Sequence, residues 1–180
     1  MSLWGASTTD DNKPKYLSDA EKRDVYATKE GWVKRTTGTG GRAGRVHEEI
    51  LVAIGELSET FAEANISNVT LVTDSIGATA GEEVSIIVTF NESVTVTGTP
   101  HVELTNTTAP ARSANIVYAS GTGSNRLTFT STVAGGALNE NDVVGVALMR
   151  LDGGTIVDTI GGANATITFS AIAKQITVAA

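Results

Sequence analysis

Residues 82–104 read EEVSIIVTFNESVTVTGTPHVEL, and this stretch decides the fold class. Apolar residues occupy the even positions from Val84 to Phe90, while Ser85 and Thr89 lie between them. This period of two, in a segment rich in β-branched residues, predicts a half-buried strand. A short corner, a second strand and a third strand led by Pro100 are expected within the same stretch.

The chain beyond this stretch repeats the pattern. Strands are predicted at residues 69–73, 114–118, 126–133, 143–151, 165–170 and 175–178. The segment 143–151 is apolar on both faces and therefore suits a central strand. Glycine-rich turns separate the strands, and no helix is predicted between them. This succession predicts a mainly β fold, an antiparallel β-sandwich of the immunoglobulin (Ig) type, preceded by an extended arm and a small β-hairpin.

The charge of the chain is unevenly distributed. Residues 1–45 hold nine basic and six acidic residues, whereas residues 46–180 hold four basic and fourteen acidic ones. The two parts are therefore expected to contact different partners. An ordinary acidic domain with a short tail would give the same distribution of charge. The acidic second part disfavours nucleic-acid binding. The first residues lack a basic segment followed by an apolar one, so no secretory signal is expected. No apolar run is as long as a membrane-spanning helix, so no membrane insertion is expected.

Residues 1–24 are predicted to form a docking arm. The segment 10–14, which ends in a proline, suits neither a helix nor a central strand. Ordering about 24 residues costs roughly 1–2 kcal/mol each, and burying one Trp returns about 5 kcal/mol. The arm is therefore expected to be disordered when free and ordered on a partner, unless Trp4 packs back on the body. Ser18 and Glu21 could form the capping box of one short helical turn.

The following segment is expected to form a hairpin. Residues 25–35 look strand-like around Trp32 and Val33, and residues 36–45 form a basic, glycine-rich loop. The apolar positions of residues 46–54 fit a helix or a strand. We favour a strand at 49–54 that pairs with 31–35 across the loop, followed by a short helix or irregular link at 57–65.

No catalytic or metal-binding constellation is evident. The glycine-rich loop lacks the Gly-Lys-Ser/Thr ending of a phosphate-binding loop. His47 and His101 are far apart in sequence, and cysteine is absent, so a transition-metal site is not expected. Residues 140–142 and Asp152 are explained by turns rather than by a calcium site. We expect no enzymatic activity and no cofactor.

Three blocks in the second part of the chain resemble a known family. VTFNESVTVTGTPHVELT, ANIVYASGTGSNRLTFTSTV and VALMRLDGGTIVDTIGGANATITF occur in this order between residues 71 and 170. They resemble the Ig-like repeats of large bacterial surface proteins. The resemblance implies an Ig-like domain over residues 66–180 but says little about function, because such domains serve many roles.

The first part resembles proteins of a different kind. SLWGASTTDDNKPKYL, ATKEGWVKR and EEILVAIGEL are similar to the start of small structural proteins of tailed marine phages, particularly cyanophage-like myoviruses. This resemblance implies a virion protein, assembled in the host cytoplasm, whose residues 1–65 form a docking arm and hairpin. The implied function is capsid decoration. A neck- or tail-associated protein and a carbohydrate- or cell-surface-binding module are the alternatives.

The implied partner is the major capsid protein or another virion protein. The chain could also form a trimer on the shell, and its Ig-like part could make weak contacts with host-surface glycans. Apolar anchors and basic residues are expected to dock the first 65 residues, because aromatic and arginine side chains dominate interface energies. The predicted docking residues are Leu3, Trp4, Tyr16, Leu17, Trp32, Val33, Arg35, Arg42 and Arg45.

Overall fold

The computed structural model describes residues 13–37, 45–55, 57, 63–77, 82–106, 113–134, 137–170 and 175–179. Over these ranges the chain is mainly β, as predicted. The elements are α1 (Asp19–Lys22), β1 (Val25–Thr28), β2 (Gly31–Thr37), β3 (Val46–Ala53), β4 (Ile66–Leu71), β5 (Ile76–Gly77), β6 (Glu83–Thr97), β7 (His101–Asn106), β8 (Ser113–Ser120), β9 (Ser124–Thr132), β10 (Val143–Arg150), β11 (Thr155–Asp158) and β12 (Ile176–Ala179). No helix in these ranges is long and apolar enough to cross a membrane.

Strand β6 is the centre of the fold. It pairs antiparallel with β4, β9 and β11, and it meets β1 in a parallel bridge between Ala27 and Glu92. The main path through the sheet is β3-β2-β1-β6-β9-β8-β7-β10-β12-β5. Because β1 with β6 and β12 with β5 are parallel pairs, the sheet is mixed, whereas the sequence analysis predicts an antiparallel one.

The sheet folds back on itself at β8. This strand pairs with β7 along residues 113–117 and then with β9 at Tyr118 and Ser120, with an irregularity between these two positions. Strands on both sides of β8 contribute to one apolar cluster. Its fully buried members include Ile86, Val88, Phe90, Val102, Leu104, Leu127, Phe129 and Val144. The even-numbered residues of β6 therefore point into the core, as the period of two predicts.

The first three strands form a second unit, which we call the N-terminal sheet. Strands β1, β2 and β3 pair antiparallel, and β2 and β3 form the predicted hairpin. The segment 25–35 is not one strand, because a turn at Lys29 and Glu30 divides it. A separate apolar cluster supports this sheet and contains Leu17, Val25, Ala27, Trp32 and Leu57. The predicted domain boundary at residues 65 and 66 stays a prediction, since Ala64 belongs to the larger cluster and β1 pairs with β6 across the boundary.

The structure differs from the sequence prediction at three places. The segment 165–170 is not a strand, and only isolated bridges form at Asn164 and Thr166. Ile167 and Phe169 are half-buried and pack against the core. At the predicted corner, β6 continues as a strand through Asn91 and Glu92, but its pairing with β9 is interrupted between Thr89 and Val94. Strand β11, for which the sequence predicts no strand, pairs with the second half of β6.

Candidate docking surface

The structure separates the predicted docking residues into three groups. Leu3, Trp4 and Arg42 lie outside the described residues. Leu17, Trp32 and Val33 are buried within the chain, with 8%, 1% and 4% of their surface exposed. Their apolar side chains pack against their own sheet, so in this conformation they support the fold and present no anchor to a partner. Tyr16, Arg35 and Arg45 remain at the surface, and Tyr16 is 71% exposed.

Strand β3 presents a surface that the predicted docking set does not contain. It is the last strand on one side of the sheet, and no strand in the described ranges pairs with its outer edge. Val46 and Ile50 on this strand are 51% and 54% exposed. An unpaired strand edge with exposed apolar side chains is a template for pairing with another chain.

The register shows which side chains share this surface. Residues two apart on a strand lie on one face, so Val46, Glu48 and Ile50 point the same way, and Arg35 lies opposite Glu48 on β2. The Tyr26 hydroxyl donates to Glu48 Oε1 at 2.7 Å, and Arg35 Nε lies 3.8 Å from the same oxygen. Burial, and then the bond to Glu48, raise the pKa of Tyr26. We call Arg35, Val46, Glu48 and Ile50 the outer β3 face.

Residues 13–24 are held against the N-terminal sheet. The Ser18 hydroxyl accepts the Glu21 amide, and Glu21 Oε2 accepts the Ser18 amide, which completes the predicted capping box. Lys34 Nζ donates to Glu21 Oε1 at 2.9 Å, and this bond, followed by those from Ser18, lowers the pKa of Glu21 to about 2. Lys13 is buried and donates to the carbonyl of Lys22. The expectation of a disordered arm is therefore wrong for residues 13–24, and for residues 1–12 it lies outside the described residues.

A charged cluster connects the start of β7 with the end of β10. His101 is buried, and its Nδ1 forms a hydrogen bond with Asp152 Oδ2. Arg150 Nε donates to Glu103 Oε1 at 2.5 Å. The sequence separation of about fifty residues concealed these contacts. His101 Nε2 is buried without a hydrogen-bond partner and lies 3.8 Å from Glu103 Oε1.

A second polar cluster is buried at the junction between the N-terminal sheet and the sandwich. Glu92, Asn125 and Asp158 each have about 1% of their surface exposed. Burial, and then the charge of Asp158, raise the pKa of Glu92 to about 8. Sequence reasoning missed this cluster, because its members are distant in sequence and each looks like an ordinary turn or strand residue. Among the described residues, no group of three or more His, Cys, Asp or Glu side chains could hold a metal ion.

The aromatic side chains of the sandwich are not arranged for stacking on sugars. Phe90 and Phe129 are fully buried, and Phe169 packs half-buried against the core. Tyr118 is half-buried and contacts Phe129 edge-on, with ring centroids 5.9 Å apart. The sequence has no further aromatic residue after position 65, so this part of the chain offers no exposed aromatic platform to a glycan.

No family model, curated protein or solved structure matches this chain.

Proposed function

We propose that this chain is a non-enzymatic structural protein of a phage virion and decorates the capsid. Residues 1–65 dock on the major capsid protein, and residues 66–180 project from the shell. The two sequence resemblances support this assignment. The observation that carries the docking role is the outer β3 face, where apolar side chains lie on an unpaired strand edge.

The edge of β3 suits a partner strand better than a second copy of itself. A strand that adds to this edge would form main-chain hydrogen bonds along β3 and bury Val46 and Ile50. Glu48 and Glu49 lie side by side in the middle of β3. In an antiparallel pair of two β3 strands, these acidic residues would oppose each other, and like charges opposite each other destabilise a sheet. The complementary partner is therefore a strand with apolar and basic side chains.

Binding to particles that lack this protein tests the proposal. The purified full chain is sedimented with such particles, and the bound fraction is compared with that of a variant carrying Val46→Lys and Ile50→Lys. We expect the double variant to bind at least about tenfold more weakly, because burying the exposed half of each apolar side chain is worth roughly 0.7–1.5 kcal/mol. Both side chains are half exposed, so the variant should fold.

The matched control is Val117→Lys. Val117 lies on β8 of the sandwich and is 38% exposed. This variant should bind like the unchanged chain. Equal binding by all three proteins would refute docking through β3, and labelled chain found on the neck or tail rather than the head would refute capsid decoration.

A further inference from the structure

Three buried polar residues lie at one end of the sandwich, each on a strand that also carries buried apolar residues. On β6, Glu92 lies two residues from the buried Val94, and Asp158 of β11 lies opposite Val94. On β9, Asn125 lies two residues from the buried Leu127. Directly opposed residues of neighbouring strands share a face, so Asp158 and Val94 point to the same side. Glu92, Asn125 and Asp158 are all buried, with about 1% of their surface exposed.

Glu92 and Asn125 lie at one irregular part of β6. The pairing of β6 with β9 is interrupted between Thr89 and Val94, and Glu92 lies in this interruption. Asn125 Nδ2 donates to the carbonyl of Phe90 at 3.4 Å, which places the amide beside the irregular segment. Burial, and then the nearby negative charge of Asp158, raise the pKa of Glu92, so these two carboxyl groups lie close enough to interact.

The oxygen atoms of this cluster are not satisfied by the described residues. Both carboxyl oxygens of Glu92 and Oδ1 of Asn125 are buried without a hydrogen-bond partner. Asp158 accepts one backbone amide on each oxygen, from Ile160 at 2.9 Å and from Gly161 at 2.6 Å, which leaves further lone pairs. Buried polar groups are nearly always paired, and an unpaired buried carboxylate is costly. Three unpartnered oxygens and two partly used ones therefore offer a binding site to a further ligand.

We propose that Glu92, Asn125 and Asp158 bind one divalent cation of the calcium class. Calcium takes six to eight oxygen ligands, and carboxylates together with amide carbonyls are its usual protein donors. Two carboxylates would neutralise the ion, and the amide carbonyl of Asn125 would provide a third ligand residue. The cation would also fasten the N-terminal sheet to the sandwich, because Glu92 forms the backbone bridge to Ala27 of β1.

Thermal unfolding of the full chain tests this site with calcium alone as the probe. The melting temperature is measured at pH 7.5 in excess EDTA and in excess CaCl2, and calcium binding is measured separately by calorimetric titration. At a concentration about a hundred times Kd, one site on the native state should raise Tm by roughly 5–10 °C. Glu92→Gln and Asp158→Asn should each reduce this rise to near zero.

Glu83→Gln is the matched control, since Glu83 is an exposed carboxylate at the start of the same strand. It should retain the full calcium response. Two outcomes would overturn the proposal: an unchanged chain that neither binds calcium nor gains stability from it, or a calcium response that survives in Glu92→Gln. If acidification alone raises Tm while calcium does not, the buried Glu92 is a protonated acid rather than a ligand.

Discussion

Gly31 shows how a single residue can determine the N-terminal sheet. Its φ of +132° is in a region that other residues rarely adopt, and an added Cβ would lie 2.0 Å from the carbonyl oxygen of Val52. Gly31→Ala should therefore lower the free energy of unfolding by at least about 2 kcal/mol. Urea unfolding followed by tryptophan fluorescence measures this change. Gly55→Ala is the control, because its Cβ would meet no atom within 4 Å; equal losses in both variants would contradict the prediction.

Glu21 provides a test by pH. Its folded pKa of about 2 lies below the ordinary 4.5, so its contribution to stability is fully present above pH 4.5 and disappears as pH falls through 2. Glu21→Gln should therefore be less stable than the unchanged chain at pH 7 and equally stable near pH 2, as measured by Tm. Asp19→Asn removes an almost fully exposed carboxylate from the same helix and should change little. A deficit for Glu21→Gln that persisted at pH 2 would contradict this assignment.

At the scale of elements, local periodicity predicts most of the strands. The alternation from Val84 to Phe90 corresponds to fully buried positions of β6, and the Ser18–Glu21 spacing corresponds to an observed capping box. The favoured strand at 49–54 lies largely within β3. These features depend on residues close in sequence, which is why a pattern in the sequence can reveal them.

Features that depend on distant residues could not be predicted in this way. Strand β11 has four residues between glycine-rich turns, and it is a strand because β6 is long enough to pair with it. Trp32 and Val33 look like interface anchors in sequence, but packing in the N-terminal sheet buries them. The cluster of Glu92, Asn125 and Asp158 arises from three strands, and no spacing in the sequence indicates it.

Tyr26 links two strands that are not neighbours. It lies on β1, and its hydroxyl crosses β2 to reach Glu48 on β3. Tyr26→Phe removes a partly buried bond to a charged group and should cost roughly 1 kcal/mol of stability. Urea unfolding provides the measurement, with Tyr16→Phe as the control, since Tyr16 is 71% exposed. If Tyr26→Phe and Tyr16→Phe have the same free energy of unfolding, the bond from Tyr26 to Glu48 does not stabilise the fold.

At the scale of the whole molecule, two apolar clusters share one continuous sheet. The larger cluster lies in the sandwich, and the smaller one supports the N-terminal sheet. The two units meet where Ala27 bridges Glu92, beside the buried polar cluster. Stability should therefore be uneven, because the smaller cluster buries less apolar area and such regions open at lower free energy.

Removal of residues 1–24 tests this arrangement. The deletion removes Leu17 from the smaller cluster and Glu21 from its ion pair with Lys34, but it removes no residue of the larger cluster. Amides of β1–β3 should therefore lose hydrogen-exchange protection by about tenfold or more, while those of β6 and β9 stay protected.

A deletion of residues 1–12 alone is the matched control, since it keeps Leu17, Lys13 and the capping box. This shorter deletion should leave hydrogen exchange in β1–β3 unchanged.

The shorter deletion also separates the contribution of residues 1–12 to docking from that of the outer β3 face. Weaker particle binding after removal of residues 1–12, with an intact N-terminal sheet, would assign docking energy to Leu3 and Trp4. Unchanged binding would leave the outer β3 face as the principal contact. Equal loss of protection in the sandwich and the N-terminal sheet after either deletion would show that the chain unfolds as one unit.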